Sequence, residues 1–372
     1  MRIWLHNAAF TRCKIATTPI EWTGESSCGS FLVTAADNNL SEALATLLNP
    51  SNVEDFIQCA VQLAWDPEAL PPTSLLYPSF NEDIPKTADL AEYLWRQCFY
   101  YALPRRKQVK LAEDMRADPS RALDANRIIR SFFMDFSAKN PARSSEVGEV
   151  IAYSVVQHYL RAPQIAAKMA LKTSANMPVH GLDGIHAAFE NGAMTIFFLE
   201  AKLAKSANAG ASSYAESAKD FLGNRAQYLR EYDIVADLGN LDALEGEDRK
   251  AALDYFDIIG HPRLQRRERY VGVVCYSEKE AYSKKIAVGS GPIDAHEAHF
   301  AENLAKLHER YRQSALRHIE ANGGDAAKCY LFFLAVPDIN ELRRKFYQAM
   351  GLEPPQDLPD GDDETVDSME QA

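Results

Sequence analysis

Asp183, Glu200 and Lys202 are the residues whose types and spacing carry chemistry. Glu200 and Lys202 stand two apart at the end of Met194–Leu203, a run apolar on both faces, and a two-residue spacing puts both side chains on one side of a strand. A shorter run, Leu182 to Phe189, precedes it, and Asn191-Gly192 between them is a strong two-residue turn signal. A hairpin is therefore predicted, with Asp183 carried to the same end as Glu200. Charged groups at the end of a strand buried on both sides are expensive filler. Two carboxylates can share a hard cation such as Mg²⁺ or Mn²⁺, while an adjacent ammonium orients or deprotonates the attacking water or offsets charge on a phosphoryl group. The chemistry expected is metal-assisted hydrolysis. Glu-x-Lys alone, a tripeptide common by chance, reads first as a strand-end ion pair with Asp183 in a turn. The acid one strand earlier moves the balance toward a site.

The neighbouring elements must position that trio. Ser144-Ser145 is expected to cap a helix over Glu146–Leu160, on which Glu146 and Glu149 point the same way, as complements to the helix dipole or as acids for the site. Ile165–Thr173 reads as a first strand, and the polar loop Ser174–Gly181 leads into Asp183. His180 and His186 flank the acid and are either structural or within reach of a phosphate. Beyond Lys202 a helix is predicted from about Ser212 to Leu229, with Lys219 a surface residue or a phosphate contact. Asp237–Asp257 is acidic and helical, and Arg263, Arg266, Arg267 and Arg269 can clamp phosphate or a protein partner. A strand over Tyr270–Tyr276, a long helix over Ala295–Ala321, a strand over Cys329–Val336 and a helix over Asp338–Met350 complete an α/β layered core.

Asp183 followed by Glu200-Ala201-Lys202 resembles the PD-(D/E)XK nuclease signature. The longer text KTSANMPVHGLDGIH with FFLEAKL resembles the HamA family, the nuclease effector subunits of the Hachiman anti-phage defence system, over about Asn126 to Gln348. Leu182 stands where that signature has proline. The resemblance implies a restriction-endonuclease-like core, a central mixed sheet flanked by helices. It implies Mg²⁺-dependent cleavage of DNA and a superfamily 2 helicase partner of the HamB type. By residue it implies Asp183, Glu200 and Lys202 as catalytic, with Asp183, Glu200 and Glu149, or secondarily Glu146, as metal ligands. Two rivals keep the fold: a catalytically silent adaptor that regulates a helicase, and a metal-dependent RNase.

The domain reading is an α/β or helical accessory region at 1–85, a helical connector at 86–140, the nuclease-like domain at 141–350 and an acidic tail at 351–372. Leu40–Leu48 and Val53–Trp65 look helical, and Pro71-Pro72, Pro78 and Pro85 read as a linker-like passage. Trp4, Trp22, Trp65 and Trp95 all precede the nuclease-like part and most simply fill a core. Three helices are predicted at Ala88–Leu103, Lys107–Met115 and Ala122–Phe136, with a mild basic bias between 105 and 130 that suits a DNA face, a helicase-docking face or plain solvation. The chain of 372 residues carries a net charge of −12. Eight acids and no basic residue follow Lys345, so the rest of the chain carries only −4. The tail reads as solvating, or as a nucleic-acid mimic lying over a basic surface. Six scattered cysteines show neither zinc nor disulfide spacing, and no signal peptide or membrane-length apolar run is visible, so a cytoplasmic protein is expected. Neither a P-loop nor a G-x-S-x-G elbow competes with the acidic trio.

Overall fold

A computed structural model describes residues 35–139, 146–171, 181–190, 193–287, 289 and 291–352. In chain order these form α1 (Ala35–Ala45), β1 (Ile57–Val61), β2 (Thr73–Pro78), the short pair β3 (Phe80–Asn81) and β4 (Ile84–Pro85), α2 (Thr87–Ala102), α3 (Arg105–Ala117), α4 (Ala122–Lys139) and α5 (Glu146–Tyr159). Then follow β5 (Gln164–Ala166), β6 (Gly184–Glu190), β7 (Ala193–Ala204), α6 (Ala207–Gly223), α7 (Arg225–Leu238), α8 (Gly246–Asp254), β8 (Arg266–Ser277), α9 (Lys279–Ser283), α10 (Ala295–Ala305), α11 (His308–Ala321), β9 (Cys329–Val336) and α12 (Ile339–Ala349).

Seven strands form one mixed sheet in the order β1-β2-β9-β8-β7-β6-β5. Its middle is parallel from β2 through β9 and β8 to β7, and antiparallel pairs close both edges. The parallel strands read as unbroken apolar runs because both faces are covered. α5 packs on β7 from one side and α6 from the other. Met194, Ile196 and Phe198 share a core with Tyr214 and Phe221 of α6. On the opposite face Leu203 meets α5 so closely that a Cβ on Gly148 would stand 3.1 Å from its Cγ. The expected mixed sheet between helices is therefore present.

Several expectations require correction. Val53–Trp65 is not a helix: a 3-10 turn at Val53–Asp55 leads into β1, which pairs antiparallel with β2, and this partner outweighs the local helical pattern. The proline-rich passage contains β2, whose six residues are all buried and pair with β9. Strands from before residue 85 thus lie in the same sheet as Glu200. Ile165–Thr173 is a strand only to Ala166 and then a 3-10 turn, Lys168–Leu171, which turns Lys168 inward. The helix expected over Ser212–Leu229 breaks at Asn224, whose side chain caps α7 by accepting from Gln227 N at 3.1 Å. The long helix over Ala295–Ala321 is two, α10 and α11. The bend lets His308 Nε2 meet the Thr73 carbonyl at 3.0 Å. Asp338 caps α12 as expected, accepting from Asn340 N and Glu341 N at 2.8 and 3.0 Å.

Candidate active site

β6 and β7 form the predicted hairpin, with Glu190 opposite Ala193 and Gly184 opposite Leu199. Asp183 sits one residue before β6 and stays in the ladder, its N–H donating to the Leu199 carbonyl at 2.9 Å. Its side chain then reaches across the strand end, and Asp183 Oδ2 accepts from Ala201 N at 2.7 Å. Ala201 lies between Glu200 and Lys202, so this bond locks the first acid to the Glu-Ala-Lys segment. Glu200 and Lys202 project together, as their two-residue spacing requires, with Lys202 Nζ 3.0 Å from Glu200 Oε1. Their side chains are only 13% and 16% exposed. The α6 layer comes close here because residue 272 of β8 is glycine: a Cβ there would stand 2.7 Å from the Tyr214 ring.

The electrostatics mark a strained group of like charges. Burial pushes the Asp183 carboxyl well above the usual carboxylate range, and the negative charges of Glu200 and Glu149 push it further, against the pull of Ala201 N–H and Lys202. Glu149 and Glu146, the two acids of the α5 first turn, are both buried but bound differently. Glu149 accepts from the Tyr101 hydroxyl of α2 and is the one whose charge reaches Asp183. Glu146 accepts from the Tyr347 hydroxyl of α12 at 2.9 Å. Burial and Glu149 hold the Tyr101 phenol well above its ordinary value, so it remains a donor.

Other expected residues fall elsewhere. His186 is fully buried, 2.8 Å from the Ala162 carbonyl through Nδ1 and against the Tyr153 ring, and burial pushes it down to about 4. It is a neutral core histidine at physiological pH. His180 lies outside the described residues, as do Trp4, Trp22 and the stretch 353–372. Arg266 is spent on structure, its guanidinium donating to the carbonyls of Asp254, Tyr255, Asp257, His261 and Leu264. Arg269 lies over the Tyr330 ring at 5.9 Å, while Arg263 is exposed. Lys219 lines an open crevice with Asn322, Asp325 and Lys328. Of the basic residues between 105 and 130, Arg105 bonds Asn49 and Gln108, and Arg130 donates to the Gly351 carbonyl at 3.1 Å; Arg106, Lys107 and Lys110 are exposed.

Three residues near the trio had no individual reading in the sequence: Tyr101, Lys168 and Glu231. Lys168 and Glu231 form a buried ion pair at 2.6 Å beside Leu182. A lysine inside the apolar text QIAAKMAL was a visible signal, since a charge in such a run needs a partner. Tyr101 sits in an ordinary amphipathic helix and gave no such sign.

The donor set suits a hard cation. Asp183, Glu200 and Glu149 are oxygen donors whose crowded negative charge a divalent ion would relieve. Among the described residues no three His, Cys, Asp or Glu side chains gather into a ready-made metal cage. Mg²⁺ does not require one, because it keeps several waters and binds through one or two carboxylates. No helix among the described residues is long and apolar enough to cross a membrane. In comparisons with known proteins, a family model described as HamA matches residues 53–350, beginning well before Asn126 and taking in β1 and β2. No curated protein matches the chain.

Proposed function

The chain belongs to the HamA family, and on that premise we propose that it is a metal-dependent DNA nuclease of the PD-(D/E)XK type, the effector of a Hachiman anti-phage defence system that works with a superfamily 2 helicase. Family membership supports the defence role. The observation that carries the nuclease reading is the convergence of Asp183 with the Glu200–Lys202 pair, fixed by the bond from Ala201 N to Asp183 Oδ2.

Asp183 and Glu200 would hold Mg²⁺ or Mn²⁺, with Glu149 completing the shell. When bound, such an ion polarises a scissile phosphate and makes the attacking water more acidic. The chain's own groups do the placing. Ala201 N–H holds Asp183 Oδ2, and the Tyr101 hydroxyl holds the Glu149 carboxylate. Lys202, held by Glu200, orients the water and offsets negative charge on the phosphoryl oxygens. The low exposure of this pair strengthens each of these interactions relative to water.

A net charge of −12 gives the chain little affinity of its own for a polyanion. A helicase subunit would supply the grip on DNA, and the exposed bases of α3 are a place for either partner to dock. The cellular test is protection against phage when the helicase is present. Asp183→Ala and Lys202→Ala are each expected to abolish protection while the protein still accumulates and co-purifies with the helicase. Intact protection in both variants would favour a silent adaptor, and cleavage of RNA in preference to DNA by the wild type would reassign the substrate.

A further inference from the structure

The chain that delivers Asp183 is gripped by a buried ion pair. Lys168 and Glu231 are 2.6 Å apart with side chains 3% and 0% exposed. The same ammonium donates to the Leu182 carbonyl at 2.5 Å, and the Leu182 N–H bonds the Glu231 carboxylate. Both backbone polar groups of the residue before Asp183 are thus held by one pair. Gly181 adjoins them with φ of +143°, a conformation that favours glycine, and a Cβ there would lie 2.2 Å from Glu231 Oε1. The arrangement therefore depends on three residues from separate parts of the chain: the turn after β5, the approach to β6, and α7.

Stability alone is a poor account of this pair. Removing two charges from water costs about what their attraction returns, and apolar side chains of the same volume often serve a core as well or better. Apolar side chains would not hold Leu182 by both its carbonyl and its amide. We propose that Lys168 and Glu231 are positioning residues, which fix Leu182 and through it set the Asp183 carboxylate in the geometry that takes a divalent cation. The inference rests on the metal-dependent reading of Asp183 above and names what prepares that site.

The test uses the full chain, with Lys168→Met, Glu231→Gln and the apolar double replacement Lys168→Met/Glu231→Leu. Two quantities are read: Mn²⁺ affinity from the electron paramagnetic resonance signal of free Mn²⁺, and hydrogen exchange at the Ala201 amide, which donates to Asp183. Support for a metal site commonly contributes about 10- to 100-fold in affinity, and a loss of that order is expected in all three variants. The Ala201 amide should exchange faster while the amides of β8 and β9 keep wild-type protection. Wild-type Mn²⁺ affinity and Ala201 exchange in the variants would overturn the proposal. So would a loss of protection spread evenly over β8 and β9, which is the mark of a merely structural pair. A wild-type protein that binds no Mn²⁺ would instead defeat the metal reading, and the Ala201 exchange would still decide whether the pair holds Asp183.

Discussion

Glu200→Gln separates a site acid from a structural one. In the wild type, Glu200 attracts Lys202 at 3.0 Å and repels Asp183, whose proton affinity is raised by burial and by its acidic neighbours. The sign of the second effect is definite. A carboxyl with a raised folded-state pKa contributes stability at pH values below its unfolded value and loses it as pH rises through the folded value, so at neutral pH an ionised Asp183 weighs against folding. The substitution keeps the side-chain volume, gives up one largely buried ion pair and relieves one repulsion. Removing one partner of a largely buried pair costs about 3–5 kcal/mol, and the relieved repulsion in the same surroundings offsets much of it, so the net change is expected within about 2 kcal/mol. At about 1–2 °C per kcal/mol for a chain of this length, the melting temperature should move by no more than a few degrees. Cleavage should fall by at least about 100-fold if an essential metal ligand is lost. The assay is thermal unfolding of both proteins with and without Mg²⁺. At an ion concentration ten times the dissociation constant, binding adds about 1.4 kcal/mol to the wild type, and this gain should be missing from the variant. A fall of about 10 °C in metal-free buffer would make Glu200 a structural acid, and an equal Mg²⁺ shift in both proteins would take it out of the metal shell.

Three further outcomes are expected. His186, lowered to about 4 from 6.5, is neutral in the folded protein and protonates more readily when unfolded, so its contribution to stability is complete above pH 6.5 and is lost as pH falls toward 4. Between pH 7.5 and 5 this amounts to about 2 kcal/mol, and a folded His186→Gln variant should show a correspondingly flatter unfolding profile over that range. Tyr101→Phe removes the donor to the buried Glu149 and should cost about 1–3 kcal/mol in denaturant unfolding, with reduced cleavage; unchanged values of both would remove Tyr101 from the site. Deleting residues 353–372 takes away eight carboxylates and raises the net charge from −12 to −4, so DNA binding by gel shift at low salt should strengthen several-fold and the gain should shrink as salt rises.

The parts of the fold legible in the sequence were those set by local pattern. β9, α2, α4, α5 and the β6–β7 hairpin follow from uninterrupted periodicity or a clear turn signal, while the expected cap at Ser144-Ser145 lies outside the described residues. The elements missed were those decided by a distant partner. β1 carries a helical pattern yet pairs with β2, and β2 hides between prolines because its backbone partner, β9, lies some 250 residues further on. The bend between α10 and α11 answers to Thr73 in the same way. At the site, Asp183, Glu200 and Lys202 were readable because strand spacing and a short hairpin fix their relation. Tyr101, which bonds Glu149, and Lys168 and Glu231, which meet beside Leu182, come from α2, the turn after β5 and α7, and no spacing rule connects those segments to the site. His186, open in the sequence to a structural or a phosphate-contacting role, takes the structural one, buried against Tyr153 of α5.

On the proposed function, Asp183, Glu200 and Lys202 together form a metal-dependent nuclease site. Its most direct test is cleavage of plasmid and linear DNA by the purified wild type and by Lys202→Ala, alone and with the helicase subunit, each in Mg²⁺, Mn²⁺ or EDTA. Cleavage is expected by the wild type in either metal, with none in EDTA and none by the variant in any condition. Cleavage that persists in Lys202→Ala or in EDTA, or a wild type that leaves DNA intact even with its helicase and metal, would contradict it.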